Sequence, residues 1–170
     1  MSAPSEKPAP KIPATKAPKL SRSQARLAAV QALYQMDLAE TDLSDVIEEF
    51  KSHRFGGEAA DEEAGREAHP EHFAKILRGV VKEQRRIDPL IDEQLAEGWR
   101  LVRIDSIVRA ILRAGTFELM EAEDVPVRVV ISEYVEVAKA FFEGDETRLV
   151  NGVLDQLARK LRPGQLAERG

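Results

Sequence analysis

An all-helical fold is predicted by three observations. Apolar residues recur at i, i+3, i+4 and i+7 in successive windows from Ser21 to Pro163. Helix-starting residues, namely serine, aspartate or proline, stand at the head of several of these windows. The one ambiguous alternating stretch, VPVRVVIS, continues into a helical pattern rather than a turn. The spacing predicts about seven helices over residues 20–163, ahead of a tail at 164–170.

The chain begins with MSAPSEKPAPKIPATKAPKL, where Pro4, Pro8, Pro10, Pro13 and Pro18 oppose a helix. Residues 1–19 therefore read as a disordered basic arm. Ser21 or Ser23 is placed to cap a first helix that runs to about Ala39, with Leu27, Val30, Leu33, Tyr34 and Leu38 along one stripe. Asp42 or Ser44 opens a second, which turns Leu43, Val46, Ile47 and Phe50 inward. Gly56-Gly57 and the acids that follow read as a mobile acidic loop over 56–70. Phe73, Ile76, Leu77, Val80 and Val81 restore helical spacing to about Ile87, and Pro89 opens a short helix carrying Leu90, Ile91 and Leu95.

The second half is patterned more strongly. Ile104, Ile107, Val108, Ile111, Leu112, Gly115 and Leu119 describe a helix buried along a wide face. Pro126 suits a first turn, and Ile131, Tyr134, Val135, Ala138, Phe141 and Phe142 continue helically from it. The last helix carries Val150, Val153, Leu154, Leu157 and Leu161, and Pro163 ends it. Asn151-Gly152 is a hairpin signal elsewhere, yet the apolar spacing runs through it. Its glycine reads as a close approach of a neighbouring helix, or its asparagine as an amide offered to a partner or a neighbouring backbone.

Charge separates the chain into two parts. The net charge is −5, but residues 1–35 set six cations against Glu6 alone, or +5, leaving −10 for the remainder. A basic leading end on an acidic body suggests an anionic partner for that end, or else a solvated tail. There is no cysteine, which excludes disulfides and thiolate chemistry and fits a cytoplasmic protein. No apolar run reaches membrane-spanning length, so no membrane partner is predicted.

No catalytic constellation is legible: no phosphate-cradling loop, no nucleophile elbow and no carboxylate pair in an apolar setting. His69 and His72, with His53 the remaining histidine, read as a solvated pair rather than a metal site, and no cofactor is predicted. Trp99 reads as packing a loop against the helices.

Arg22 and Arg26, one turn apart at a helix start, are the candidate phosphate contacts. The free N–H groups and dipole of that end favour an anion. Tyr34 lies about 80° around the helix from Arg26 and is a candidate stacking ring for an unpaired base, or else a core tyrosine with a wet hydroxyl.

ARLAAVQALYQMDL, and RAILRAGTFELMEAEDVPVRVVISEYVEVAKAFFEGDETRLVNGVLDQLARKLRP with its V-N-G-V-L-D close, resemble the NusB family of bacterial transcription antitermination factors. The resemblance covers roughly residues 20–163. It implies two small packed bundles, no catalysis and no small-molecule substrate. It also implies binding to boxA RNA of ribosomal RNA leaders together with NusE, a small-subunit ribosomal protein. Recruitment of antitermination factors to RNA polymerase, with processive rRNA transcription, would follow. By position, Arg22, Arg26 and Tyr34 match the family's RNA-binding start; Arg148 falls near RNA, and Asp145 and Leu149 near NusE. Ser23 and Gln24 interrupt the arginine cluster, Leu149 stands where an aromatic is common, and Val108 where an acid is common. A substrate-binding module of the kind fused to RNA methyltransferases, or an adaptor without RNA, are the alternatives.

Overall fold

A computed structural model describes residues 17–50 and 68–166, with side chains from Arg22 and from Pro70 onward. Residues 1–16 of the arm expected over 1–19, residues 56–67 of the acidic loop expected over 56–70, and the last four residues lie outside it, as do 51–55. The described chain forms six α-helices: α1 Ala17–Ala39, α2 Leu43–Phe50, α3 Ala68–Gln94, α4 Ser106–Glu121, α5 Val127–Phe141 and α6 Asp145–Leu161. A single 3-10 turn, Leu101–Arg103, precedes α4. No strand occurs among the described residues, so the alternating stretch at Val125–Ile131 is the start of α5.

Three boundaries differ from those the sequence suggested. The first helix begins at Ala17, which places Ser21 and Ser23 inside it rather than at its cap. Pro18 is tolerated there, since first-turn N–H groups have no partner within the helix. The second difference is α3, one helix through Pro89 rather than two. Pro89 is exposed, so water can satisfy the carbonyl that its missing N–H leaves unpaired. The third is the start of α3 at Ala68, inside the loop expected to reach 70; in α6, Gly144 is the N-cap and Asp145 the first helical residue.

The core runs through both halves. α1 and α2 pack with α3, α5 packs with α6, and α4 touches α1, α3, α5 and α6. That makes α4 the shared wall of two small bundles. Its wide apolar face is buried from Val108 to Leu119, and Asp105 caps it by accepting from the N–H groups of Ile107 and Val108. Two glycines allow the close approaches. A Cβ on Gly79 of α3 would fall 2.2 Å from the Phe117 ring, and one on Gly115 would fall 3.0 Å from the Leu154 methyls. Gly152, the expected contact glycine, has nothing near it and faces solvent.

The turn between α4 and α5 is closed by residues from the far end of the chain. The buried Arg162 guanidinium donates to the carbonyls of Glu118 (2.9 Å), Leu119 (2.9 Å), Ala122 (2.7 Å) and Val125 (2.6 Å). Gln165 Oε1 accepts from the N–H of Val127 at the start of α5. One arginine thus ties the Leu119 carbonyl in the last turn of α4 to those of the following turn, where Glu118 and Ala122 also accept from the N–H groups of Ala122 and Val125.

Candidate nucleic-acid interface

Because α1 begins at Ala17, Arg22 and Arg26 lie in its second and third turns, beyond the free N–H groups expected beside them, and the fold treats the two in opposite ways. Arg22 is exposed, whereas Arg26 is 3% exposed. Arg26 Nε and Nη2 donate to the two oxygens of Glu118 at 2.8 and 3.0 Å. Its Nη1 lies 3.3 Å from Glu133 Oε1, and Ser23 Oγ donates to that same oxygen at 2.8 Å. Tyr134 OH donates to Glu118 Oε2 from the other side. A guanidinium held in this way does not reach a phosphate. The expectation that Arg26 contacts RNA directly is therefore corrected: it clasps α1 onto α4 and α5, and of the two candidates Arg22 alone is exposed.

Electrostatics keep the clasp ionised. Burial opposes the charge on Glu118, but neighbouring His72 and the bonded Arg26 and Tyr134 outweigh it and hold the carboxyl down to about 2. Burial, with Glu118 beside it, pushes the Tyr134 phenol well above its ordinary value. His72 itself is not the solvated residue expected from the sequence. It is 14% exposed on α3, with Nε2 buried 3.7 Å from Glu118 Oε2, too far for a hydrogen bond. Among the described residues no group of His, Asp and Glu could hold a metal ion; His53 and the His69 side chain lie outside them.

Two hollows flank this framework. The first, of about 750 Å³, is lined by Arg22 of α1, by α3 from Glu71 to Glu83, and by Phe117 and Glu121 of α4. The second, of about 600 Å³, brings Asp145, Arg148 and Leu149 of α6 together with Leu95, Trp99 and Val108. The three candidates that lie close in sequence thus share one hollow, away from Arg22. Asp145 and Arg148 bond to each other on its exposed rim. Val108 is buried and contributes only apolar floor.

Tyr34 is half-buried, three turns of α1 from Arg22, and lines neither hollow. The aromatic ring presented instead is that of Trp99, which is 58% exposed rather than packed beneath a loop. A turn with Gly98 at φ +88° and Trp99 N–H donating to Ala96 O delivers it there. The sequence carried a usable signal for this: Gly98 in EGW permits a turn that lifts the next side chain away from the helices.

A helical scaffold with an exposed arginine on its first helix and an indole at the rim of a second hollow fits a binding protein of the nucleic-acid-handling class. The family model described as the NusB family matches residues 23–159, and the chain belongs to that family. It is 52% identical over 153 residues to the transcription antitermination protein NusB of Agrobacterium fabrum, covering 90% of this chain and 92% of that one. To the protein of the same name in Sinorhizobium fredii it is 55% identical over 141 residues, 83% of this chain and 88% of that one. The fold matches T. maritima NusB with a TM-score of 0.72 and 32% identity, over 86% of this chain and 96% of the other. A NusB chain solved with NusE and dsRNA shares the fold at 22% identity and a TM-score of 0.70, over 83% and 98% of the two chains. The family expectation drawn from VNGVLD and the first helix is thereby met, as is the all-helical fold.

Proposed function

We propose that the chain binds boxA-type RNA of ribosomal RNA leaders together with NusE, and so promotes processive rRNA transcription by RNA polymerase in the cytoplasm. The observation that carries this is the exposed Arg22 in the second turn of α1, within a chain that matches antitermination relatives over most of its length. The hollow at Asp145, Arg148 and Leu149 supplies the partner side of the reading, because two charged groups there are exposed around an apolar floor. Trp99 offers its ring beside Leu149, where the family commonly has an aromatic. Base stacking on such a ring is worth about 1–3 kcal/mol.

An acidic body opposes RNA on its own, so a basic ribosomal protein docked on that body relieves repulsion and extends the RNA surface. The two ligands are then coupled, and coupling in binding is reciprocal. A filter-binding titration of a boxA-bearing RNA, with and without NusE, tests this. NusE is expected to tighten RNA binding about 5–150-fold, and RNA to tighten NusE binding by the same factor. Asp145→Asn removes a charge without disturbing a cap, and is expected to change partner affinity while leaving thermal stability unchanged. Equal RNA affinity with and without NusE would remove the heterodimer from the reading.

A further inference from the structure

Outside the clasp and the α6 hollow, one charged surface is unused. Lys75, Arg78, Lys82, Arg85 and Arg86 of α3 are all exposed. At 100° per residue they fall within about 100° of arc, and they run for about 16 Å along the helix. This is one stripe of cations on a body that carries −10 beyond residue 35. Its first three members line the same hollow as Arg22. Among the described residues none of Arg22, Lys75, Arg78 and Lys82 is within ion-pair distance of a carboxylate, whereas Arg86 is bonded to Glu83.

The hollow is also shaped for a chain to pass over it. Gly79 has no side chain, and Phe117 fills the space beneath it, so the cations stand around a low floor. Three acids line it, Glu71, Glu83 and Glu121, against the four cations Arg22, Lys75, Arg78 and Lys82, and Glu83 is bonded to Arg86. The balance is positive.

We infer that the Lys75–Arg78–Lys82 face of α3 holds the phosphate backbone of an RNA strand that continues from Arg22, outside the family's matched RNA-binding start. The inference rests on the RNA reading above and adds a site to it. An RNA strand fits better than a compact anion, because the cations form a line rather than a cup. The three cations of this face span about 10 Å along the helix, enough for each to meet a separate phosphate. Lysine and arginine spaced along a helix neutralise such a backbone without reading bases, so this face contributes affinity and path rather than sequence choice.

The test is a filter-binding titration over a salt series, with NusE present and with a boxA RNA that keeps its flanking leader nucleotides. Wild type is compared with Lys75→Gln/Arg78→Gln/Lys82→Gln. Glutamine is a good helix former, and all three sites are exposed, so circular dichroism and thermal midpoint should match wild type. Each lost single-strand contact removes about 0.7 from the slope of log affinity against log salt, so the triple variant should be shallower by about 2. At 0.15 M salt that corresponds to a loss of about 50-fold. Equal slope and affinity in wild type and variant would overturn the inference while leaving the RNA reading standing. Failure of the wild type to bind this RNA at all would overturn both. A poly-glutamate peptide serves as a second probe. If the variant loses that peptide but keeps the RNA slope, the face belongs to an acidic protein segment and the inference fails.

Discussion

Glu118→Gln isolates the charge of the buried clasp while keeping its shape. In the native protein Glu118 receives two bonds from Arg26 and one from Tyr134, and all three residues are nearly or fully inaccessible. A carboxyl held at about 2 rather than at its ordinary 4.5 corresponds to about 3 kcal/mol of stability at neutral pH. Breaking one partner of a buried pair independently suggests about 3–5 kcal/mol, and the lower end applies because the guanidinium keeps Glu133 at 3.3 Å. The folded carboxyl holds its proton less tightly than the unfolded one. Its contribution is therefore complete above about pH 4.5 and is lost as pH falls toward 2. Urea unfolding at a series of pH values should show the variant about 3 kcal/mol weaker at pH 7, with the gap closing below pH 4. In a melt at pH 7 this is a drop of roughly 6–12 °C. A deficit under about 1 kcal/mol at pH 7, or one that stays constant down to pH 3, would refute the reasoning.

The two arginines of α1 should separate cleanly. Arg22→Gln is expected to make the RNA salt slope shallower by about 0.7 with stability unchanged, as read by filter binding and a thermal melt. Arg26→Met should cost about 3–5 kcal/mol in urea unfolding yet leave the salt slope of the folded protein as it was; a shallower slope would put its guanidinium on RNA after all. Gly79→Ala forces the Phe117 ring to move and should destabilise by about 1–3 kcal/mol despite better helix propensity, so an unchanged urea midpoint would mean that the ring relocates freely. Arg162→Met strips the bonds from four carbonyls at the end of α4 and should lower stability by about 3 kcal/mol in the same assay.

The elements that periodicity made legible are those whose apolar face is continuous. α4 and α6 were readable almost to their ends, because each repeats every three or four residues with little polar interruption. α5 was readable because its helical spacing outlasts the short alternation at its start. Pro89 misled for a local reason: proline inside a helix costs least where its unpaired carbonyl meets water, and sequence does not show which face is wet. Arg26 was misplaced because its partner is 92 residues away. A clue was nevertheless present in the partner: Glu118 lies seven residues beyond Ile111 and four beyond Ala114, on the apolar face of α4, where an acid requires a cation. The α3 cations stand in the sequence opposite an apolar stripe, where spacing alone does not separate a solvated face from a binding one.

Arg162 has a bearing on how the chain is made. The carbonyl of Leu119 and the guanidinium that satisfies it are 43 residues apart, and almost all of α5 and α6 is translated between them. At about 5–20 residues per second the end of α4 waits roughly 2–9 s during synthesis before its cap emerges. Throughout that interval the helix shared by both bundles lacks its terminal closure, so the two halves lock together only once the last turn of the protein has left the ribosome. A message truncated just before codon 162 would encode every residue of the six helices and still release a chain whose central helix lacks this closure.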